Sequence, residues 1–156
     1  MHIRLIAVGD RQPAWVDDAV ATYTNRYPPQ WRFRIDSISA ARRSKKAATG
    51  KAREAETEQI LARVNSGERL VLLDERGMSM SSTQLGRRLS DWQSDGRDLC
   101  FVIGGPDGVT DACRNHADLV WSLSALTLPH GLARVLLAEQ LYRAWSLSTG
   151  HPYHRE

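Results

Sequence analysis

Hydrophobic and polar positions in the first half of the chain show strand-like and helix-like spacing in turn. The segment from His2 to Val8 is a short apolar-rich strand, and apolar residues at helical spacing predict a helix over about residues 14–27. Residues 31–36 alternate apolar and charged side chains, which is the two-residue period of a half-buried strand. A polar helix over about residues 51–64 completes this half of the pattern.

The second half contains continuous apolar runs instead of alternating ones. Such runs are typical of strands buried on both faces, and they lie at residues 70–73, 99–103 and 119–123. Helices are predicted over about residues 82–93, after Gly108, and over about residues 132–147. This order predicts an α/β fold with a mainly parallel sheet, helices on both faces, and ligand sites beyond the carboxyl ends of the strands.

The last of these helices has an unusually wide apolar arc. The arc contains Leu137, Ala138, Leu141, Tyr142, Ala144 and Trp145. One interpretation is that the helix is deeply buried within the protomer, and the other is that it packs against a second subunit.

Length and composition favour one cytoplasmic domain. The chain has 156 residues, of which 42% are hydrophobic and 25% charged, so it can bury one sizeable core. No apolar run approaches the roughly 20 residues of a membrane span, and the N-terminus is unlike a signal peptide. Cys100 and Cys113 lack metal-ligand spacing, which favours two buried thiols without a metal site or a disulfide.

The net charge of +3 is unevenly distributed along the chain. Residues 1–70 contain 13 Lys and Arg against 8 Asp and Glu, whereas residues 71–156 contain 8 against 10. No acidic residue lies between Arg42 and Arg53, and this basic run would suit a polyanion such as RNA, although a solvated loop is the alternative. The candidate RNA-binding residues in this run are Arg42, Arg43, Lys45 and Lys46.

The ends of the three apolar strands supply a candidate site. They are followed by Asp74, by the glycine-rich segment 104–108, and by residues 122–130. In a parallel sheet these ends converge at one edge. The glycines permit close approach of the backbone to a ligand, but they form neither a dinucleotide fingerprint nor a Walker loop.

Four motifs in these regions carry a resemblance to a known family. They are IGGPDG at residues 103–108, WSLSALTLPH at 121–130, LYRAW at 141–145 and HPYHRE at 151–156. In their order and spacing they resemble the RlmH family of SPOUT methyltransferases. The resemblance extends over essentially the whole chain and is strongest over residues 70–156, which would form the cofactor-binding knot region of a single domain.

The resemblance implies a fold that general rules would not select. SPOUT proteins have a trefoil knot in which the segment after the third buried strand passes through a loop, and chain threading is otherwise almost absent from proteins. It also implies a pocket for S-adenosyl-L-methionine, built largely from backbone groups. In this sequence the pocket residues would be Leu73, Gly104, Gly105, Leu123, Ser124, Ala125, Leu126, Thr127 and Leu128.

The implied reaction is methylation of N3 of a pseudouridine in 23S ribosomal RNA, as free RNA or within the large subunit or assembled ribosome. The implied assembly is a homodimer through the C-terminal helix, with no membrane and no metal. Direct transfer from the sulfonium requires a deprotonated N3 on an extruded base, so a base or an anion-stabilising group is expected near the methyl group.

The C-terminal segment offers the catalytic candidates. His154 is suited to accept the proton, Arg155 to stabilise the pyrimidine anion or hold a phosphate, and Tyr153 to stack on the base. Because these residues follow Gly150 and Pro152, we expect them to lie outside the core, and a frayed terminus is the alternative. His130 is a further candidate or a helix cap, and Arg134 would serve the substrate or the dimer.

Other functions remain open at this level. A related SPOUT enzyme could modify another nucleotide or atom, and a noncatalytic RNA-binding or ribosome-assembly module could use the basic first half alone. A Rossmann-like nucleotide enzyme is disfavoured because no glycine fingerprint follows the first strand.

Overall fold

A five-stranded parallel sheet forms the centre of the protein, as the sequence predicts. The computed structural model describes residues 1–9, 11–42 and 49–155, and its strand order is β2-β1-β4-β3-β5. The strands are β1 (His2–Val8), β2 (Arg32–Ile38), β3 (Arg69–Ser79), β4 (Leu99–Ile103) and β5 (Leu119–Ser122).

The helices lie close to their predicted positions. They are α1 (Ala14–Thr24), α2 (Thr49–Arg63), α3 (Ser82–Asp95), α4 (Asp111–His116) and α5 (His130–Thr149). A capping box at Ser81 and Gln84 begins α3, since the Gln84 amide donates to the Ser81 hydroxyl and the Ser81 amide donates to the Gln84 side chain. Gly96 and Gly150 end α3 and α5 in the left-handed region, with φ of 78° and 72°.

Helices cover both faces of the sheet, and each face has its own apolar core. On one face, Leu85 and Leu89 of α3 and Leu137 of α5 pack against strand residues such as Phe101. On the other face, Ile60 of α2 and Cys113 of α4 pack against strand residues, among them Val102, Cys100 and Leu72. The apolar runs of β3 and β4 are therefore buried on both sides, which explains their lack of alternation.

The wide apolar arc of α5 is used within the protomer. Leu137, Leu141 and Ala144 are buried in the core that α5 shares with the sheet and α3, while Ala138 packs against α1. Burial within the protomer therefore accounts for these four residues of the arc, and packing of the helix against a second subunit stays a prediction.

Strand β3 is longer than predicted and contains a bulge. Both Leu73 and Met78 pair with Trp121 of β5, so the residues between them form an excursion at the carboxyl edge of the sheet. A Cβ added at Gly77 would lie 2.6 Å from the Trp121 amide nitrogen, so this close crossing of two backbones requires glycine.

The two cysteines are free and buried, which confirms the expectation of two buried thiols. Burial raises the pKa of Cys100 to about 12 and that of Cys113 to about 11, so both remain protonated thiols near neutral pH. Among the three described ranges, none of the helices has the length and apolar character needed to cross a bilayer.

The basic run falls largely outside the described residues. Arg42 is described and exposed, whereas Arg43, Lys45 and Lys46 are not described. Helix α2 begins at Thr49, shortly after this run.

Candidate active site

A cleft of about 520 Å³ lies at the carboxyl edge of the sheet. Its walls are the bulge after Leu73, the glycine loop that follows β4, and the segment that joins β5 to α5. The three strand ends named from the sequence therefore converge, as expected for a parallel sheet. The cleft falls in the range of about 300–1,000 Å³ that is usual for small-molecule sites.

Most of the residues expected to bind the cofactor line this cleft. Ala125 is the exception, because it is exposed and does not contribute to the lining. The eight that do line it are Leu73, Gly104, Gly105, Leu123, Ser124, Leu126, Thr127 and Leu128.

The glycine loop folds tightly back on itself. A Cβ added at Gly104 would lie 2.7 Å from Cγ1 of Val109 and 3.2 Å from the Gly108 carbonyl carbon and oxygen. The Gly108 amide donates to the Gly105 carbonyl at 3.0 Å, and Gly108 has a φ of +76°. The loop thus needs glycine for its own packing, and this packing brings bare backbone to the cleft wall.

Short-range hydrogen bonds shape the segment after β5. The Ser122 hydroxyl donates to the Ser124 carbonyl at 2.8 Å, and the Leu126 amide donates to the Ser124 hydroxyl at 2.9 Å. The Thr127 hydroxyl donates across the cleft to Glu75 at 3.3 Å, which connects this segment to the β3 bulge. The segment therefore forms an ordered turn that presents Leu123 to the cleft.

One partly buried ion pair in the cleft wall was not anticipated from the sequence. Arg114 of α4 contacts the Asp74 carboxylate at 2.8 Å and Asp111 at 2.9 Å, while Asp74 also accepts from the Arg76 amide at 2.8 Å. The position of Asp74 directly after an apolar strand was the available signal, but nothing in the spacing identified Arg114 as its partner.

His130 begins α5 at the cleft and lies next to a buried arginine. Burial, followed by the nearby Arg134 guanidinium, lowers the pKa of His130 to about 4, so its imidazole is neutral near pH 7. Its Nε2, and Nε and Nη2 of Arg134, are buried without a hydrogen-bond partner in the described part of the chain. Pro129 is the N-cap residue of α5, and no side chain of the described residues caps this end, so the interpretation of His130 as a helix cap is wrong.

The C-terminal segment packs against α5 through Tyr153, which corrects the expectation for this residue, although no described residue of the segment is fully buried. It forms a single 3₁₀ turn, Pro152–Arg155, in which Tyr153 is partly buried. The Tyr153 hydroxyl donates to Glu139 at 3.0 Å, and the ring lies 4.9 Å from the Arg143 guanidinium carbon and 4.7 Å from the Tyr142 ring centre. The prediction failed because it considered the residues that end the helix and not the surface to which the tail returns.

The protomer does not bring the tail to its own cleft. Glu139, which holds Tyr153, lies nine residues along α5 from His130, a separation of about 13 Å at the helical rise. None of Tyr153, His154 and Arg155 lines the cleft. Nδ1 of His154 is buried and has no hydrogen-bond partner among residues 1–9, 11–42 and 49–155.

The described residues contain no cluster of three or more His, Cys, Asp or Glu that is placed to hold a metal ion.

Comparison with known proteins gives matches along the full chain. The family model described as "Predicted SPOUT methyltransferase" matches residues 1–154. The chain is 54% identical over 156 residues to a protein of Thioalkalivibrio sulfidiphilus named ribosomal RNA large subunit methyltransferase H. Proteins of the same name from Methylibium petroleiphilum and Hahella chejuensis are 48% and 47% identical, and all three alignments cover 100% of both chains.

Proposed function

The chain belongs to the SPOUT methyltransferase family, and we propose that it methylates N3 of a pseudouridine in 23S ribosomal RNA with S-adenosyl-L-methionine as donor. The observation that carries this proposal is the full-length identity of 54% to a relative named ribosomal RNA large subunit methyltransferase H. The convergence of the three motif-bearing strand ends on one cleft supports it further. Action on ribosomal RNA would place the protein in the cytoplasm.

The cleft fits the proposed cofactor in size and in chemistry. Leu73, Leu123 and Leu128 offer apolar contact for an adenine ring, and the bare backbone around Gly104 and Gly105 offers amides and carbonyls for polar edges. When bound there, the cofactor would supply an already activated methyl group, so the chain's own residues need only hold it, orient the acceptor and exclude water. A trefoil knot formed by the segment after β5 is part of this proposal.

Removal of the N3 proton would be the task of the tail. We assign His154 as proton acceptor, Arg155 as the group that stabilises the pyrimidine anion, and Tyr153 as the residue that stacks on the base. His130 already lies at the cleft, but its pKa of about 4 makes it a weak proton acceptor.

The distance between tail and cleft supports a homodimer through the C-terminal helix. Glu139, which accepts the hydrogen bond from Tyr153, lies about 13 Å along α5 from His130. The tail of one protomer would therefore serve the cleft of the other. Exposed apolar side chains on α1, on α5 and beside the cleft favour such an assembly, namely Trp15, Leu132 and Leu126, which are 54%, 40% and 74% exposed.

The basic run would hold the RNA. Arg42 is exposed, and together with Arg43, Lys45 and Lys46 it would contact phosphates of the substrate.

The proposed function is tested by incubating the purified protein with labelled S-adenosylmethionine and either free 23S RNA or whole ribosomes from cells that lack it. We expect label in one 3-methylpseudouridine. Normal cofactor binding with label in a different nucleoside would instead identify a related SPOUT enzyme, and failure to bind the cofactor would favour a noncatalytic RNA-binding module.

A further inference from the structure

Helix α2 places two buried polar residues against the glycine loop without itself lining the cleft. Glu56 is 1% exposed and Thr57 is 4% exposed, whereas the neighbouring Glu54 and Glu58 are exposed. Removing a carboxylate from water costs free energy, so the burial of Glu56 next to the glycine loop indicates a structural role at this loop.

Thr57 is bonded to the residue that ends the loop. The Thr110 amide donates to the Thr57 hydroxyl oxygen at 3.3 Å, and the Thr110 hydroxyl lies 3.1 Å from the same oxygen. Thr110 is also the N-cap residue of α4. The contact therefore fixes the point at which the loop becomes a helix.

Glu56 contacts the loop at the residue next to Gly104. A Cβ added at Gly105 would lie 2.5 Å from one Glu56 carboxylate oxygen and 3.0 Å from the other. The hydrogen that occupies this position on the glycine therefore faces the carboxylate directly. Gly105 lines the cleft, so a single backbone layer separates Glu56 from the proposed cofactor pocket.

We propose that Glu56 and Thr57 are positioning residues for the cofactor, which hold the loop of residues 104–110 in the shape that forms the pocket wall. Gly105 and Glu56 then act as a matched pair, since any side chain at residue 105 displaces the carboxylate. Helix α2 becomes part of the cofactor site although it touches only the outer side of the loop. This inference rests on the proposed function for the identity of the cofactor.

A double-mutant cycle tests the matched pair by calorimetric titration with S-adenosylmethionine. We expect Gly105→Ala alone to raise Kd about tenfold and Glu56→Ala alone about fivefold, the latter corresponding to the loss of one hydrogen-bond-sized contact. In the Glu56→Ala background there is room for the new methyl group, so Gly105→Ala should add less than about twofold. Fully additive effects would overturn the proposed pair.

Conservative and control variants separate positioning from general stability. Glu56→Gln keeps the shape and should bind within about twofold of wild type, and Glu58→Ala on the exposed side should be unchanged. The KM for the cofactor should follow Kd in Glu56→Ala and Thr57→Val, while kcat at saturation stays within about twofold. Unchanged Kd and KM in both variants would refute the role of α2.

Hydrogen exchange of the cofactor-free protein supplies a readout that does not depend on binding. Amides of residues 104–110 should exchange at least about fivefold faster in Glu56→Ala and Thr57→Val, while those of α3 remain unchanged. Unchanged exchange in the loop would overturn the inference even if the protein methylates RNA. Faster exchange of the loop in variants of a protein that does not bind the cofactor would support the contact between α2 and the loop and contradict the proposed function.

Discussion

Gly104→Val is the substitution most directly aimed at the proposed cofactor pocket. A Cβ at this residue would lie 2.7 Å from Cγ1 of Val109 and 3.2 Å from the Gly108 carbonyl group. The added atoms would therefore collide with the part of the loop that folds back at these two residues. The loop must then open, and its backbone leaves the position that lines the cleft.

The size of the effect follows from the cost of overpacking. Inserting atoms into a packed site typically costs about 1–3 kcal/mol. If the loop recovers its shape only at that cost when the cofactor binds, Kd for S-adenosylmethionine rises about fivefold to 150-fold. Because the strain lies in a loop at the sheet edge, we expect the protein to remain folded.

Calorimetric titration with thermal unfolding in parallel measures both quantities. Gly50→Ala is a matched control, since a Cβ there would meet no atom of the described residues within 4 Å, and it should bind normally. A Gly104→Ala, Val109→Ala double variant should recover part of the affinity that Gly104→Ala loses, because the closest contact has been removed. A folded Gly104→Val protein with wild-type affinity would refute the pocket assignment.

Four further predictions concern the tail, the subunit contact, the RNA and the cleft histidine. Deleting residues 151–156 should abolish methyl transfer in a turnover assay while cofactor affinity is retained, and should lower Tm by about 2–6 °C because the contacts of Tyr153 with α5 are lost; normal turnover would sink the catalytic assignment. Trp15→Glu with Leu132→Glu should convert a dimer to monomers in light scattering, and a wild-type monomer at micromolar concentration would contradict the assembly. Because the pKa of His130 is lowered from 6.5 to about 4, the folded state disfavours its protonation. The free energy of unfolding should therefore decrease as the pH is lowered from about 6.5 to about 4, and His130→Asn should reduce this decrease in acid-unfolding curves. An identical pH dependence in wild type and variant would refute this prediction. Replacing the four basic residues Arg42, Arg43, Lys45 and Lys46 with Gln should flatten the salt dependence of RNA binding without changing cofactor affinity. An unchanged slope would instead support a solvated loop that does not bind RNA.

The sheet and the location of the cleft were predictable because both depend on local patterns. The apolar runs of β3 and β4 are long enough to indicate burial on both faces, and parallel strands must place their following loops at one edge. The excursion between Leu73 and Met78 was not predictable, since a bulge depends on the register with β5.

The tail and α2 show where sequence reasoning reaches its limit. Gly150 correctly predicted the end of α5, but the return of Tyr153 depends on Glu139 and Arg143, which meet it only after the chain has folded. Glu56 could not be recognised for a similar reason. On an otherwise polar helix it resembles Glu54 and Glu58, and only the tertiary structure places it against Gly105.

The most direct test of the proposed function is nucleoside mass mapping of 23S ribosomal RNA from cells with and without this protein. The account predicts that one 3-methylpseudouridine disappears when the protein is removed, returns with the wild-type chain, and does not return with Gly104→Val expressed at the same level. A methylation pattern that is unchanged on removal of the protein would contradict it.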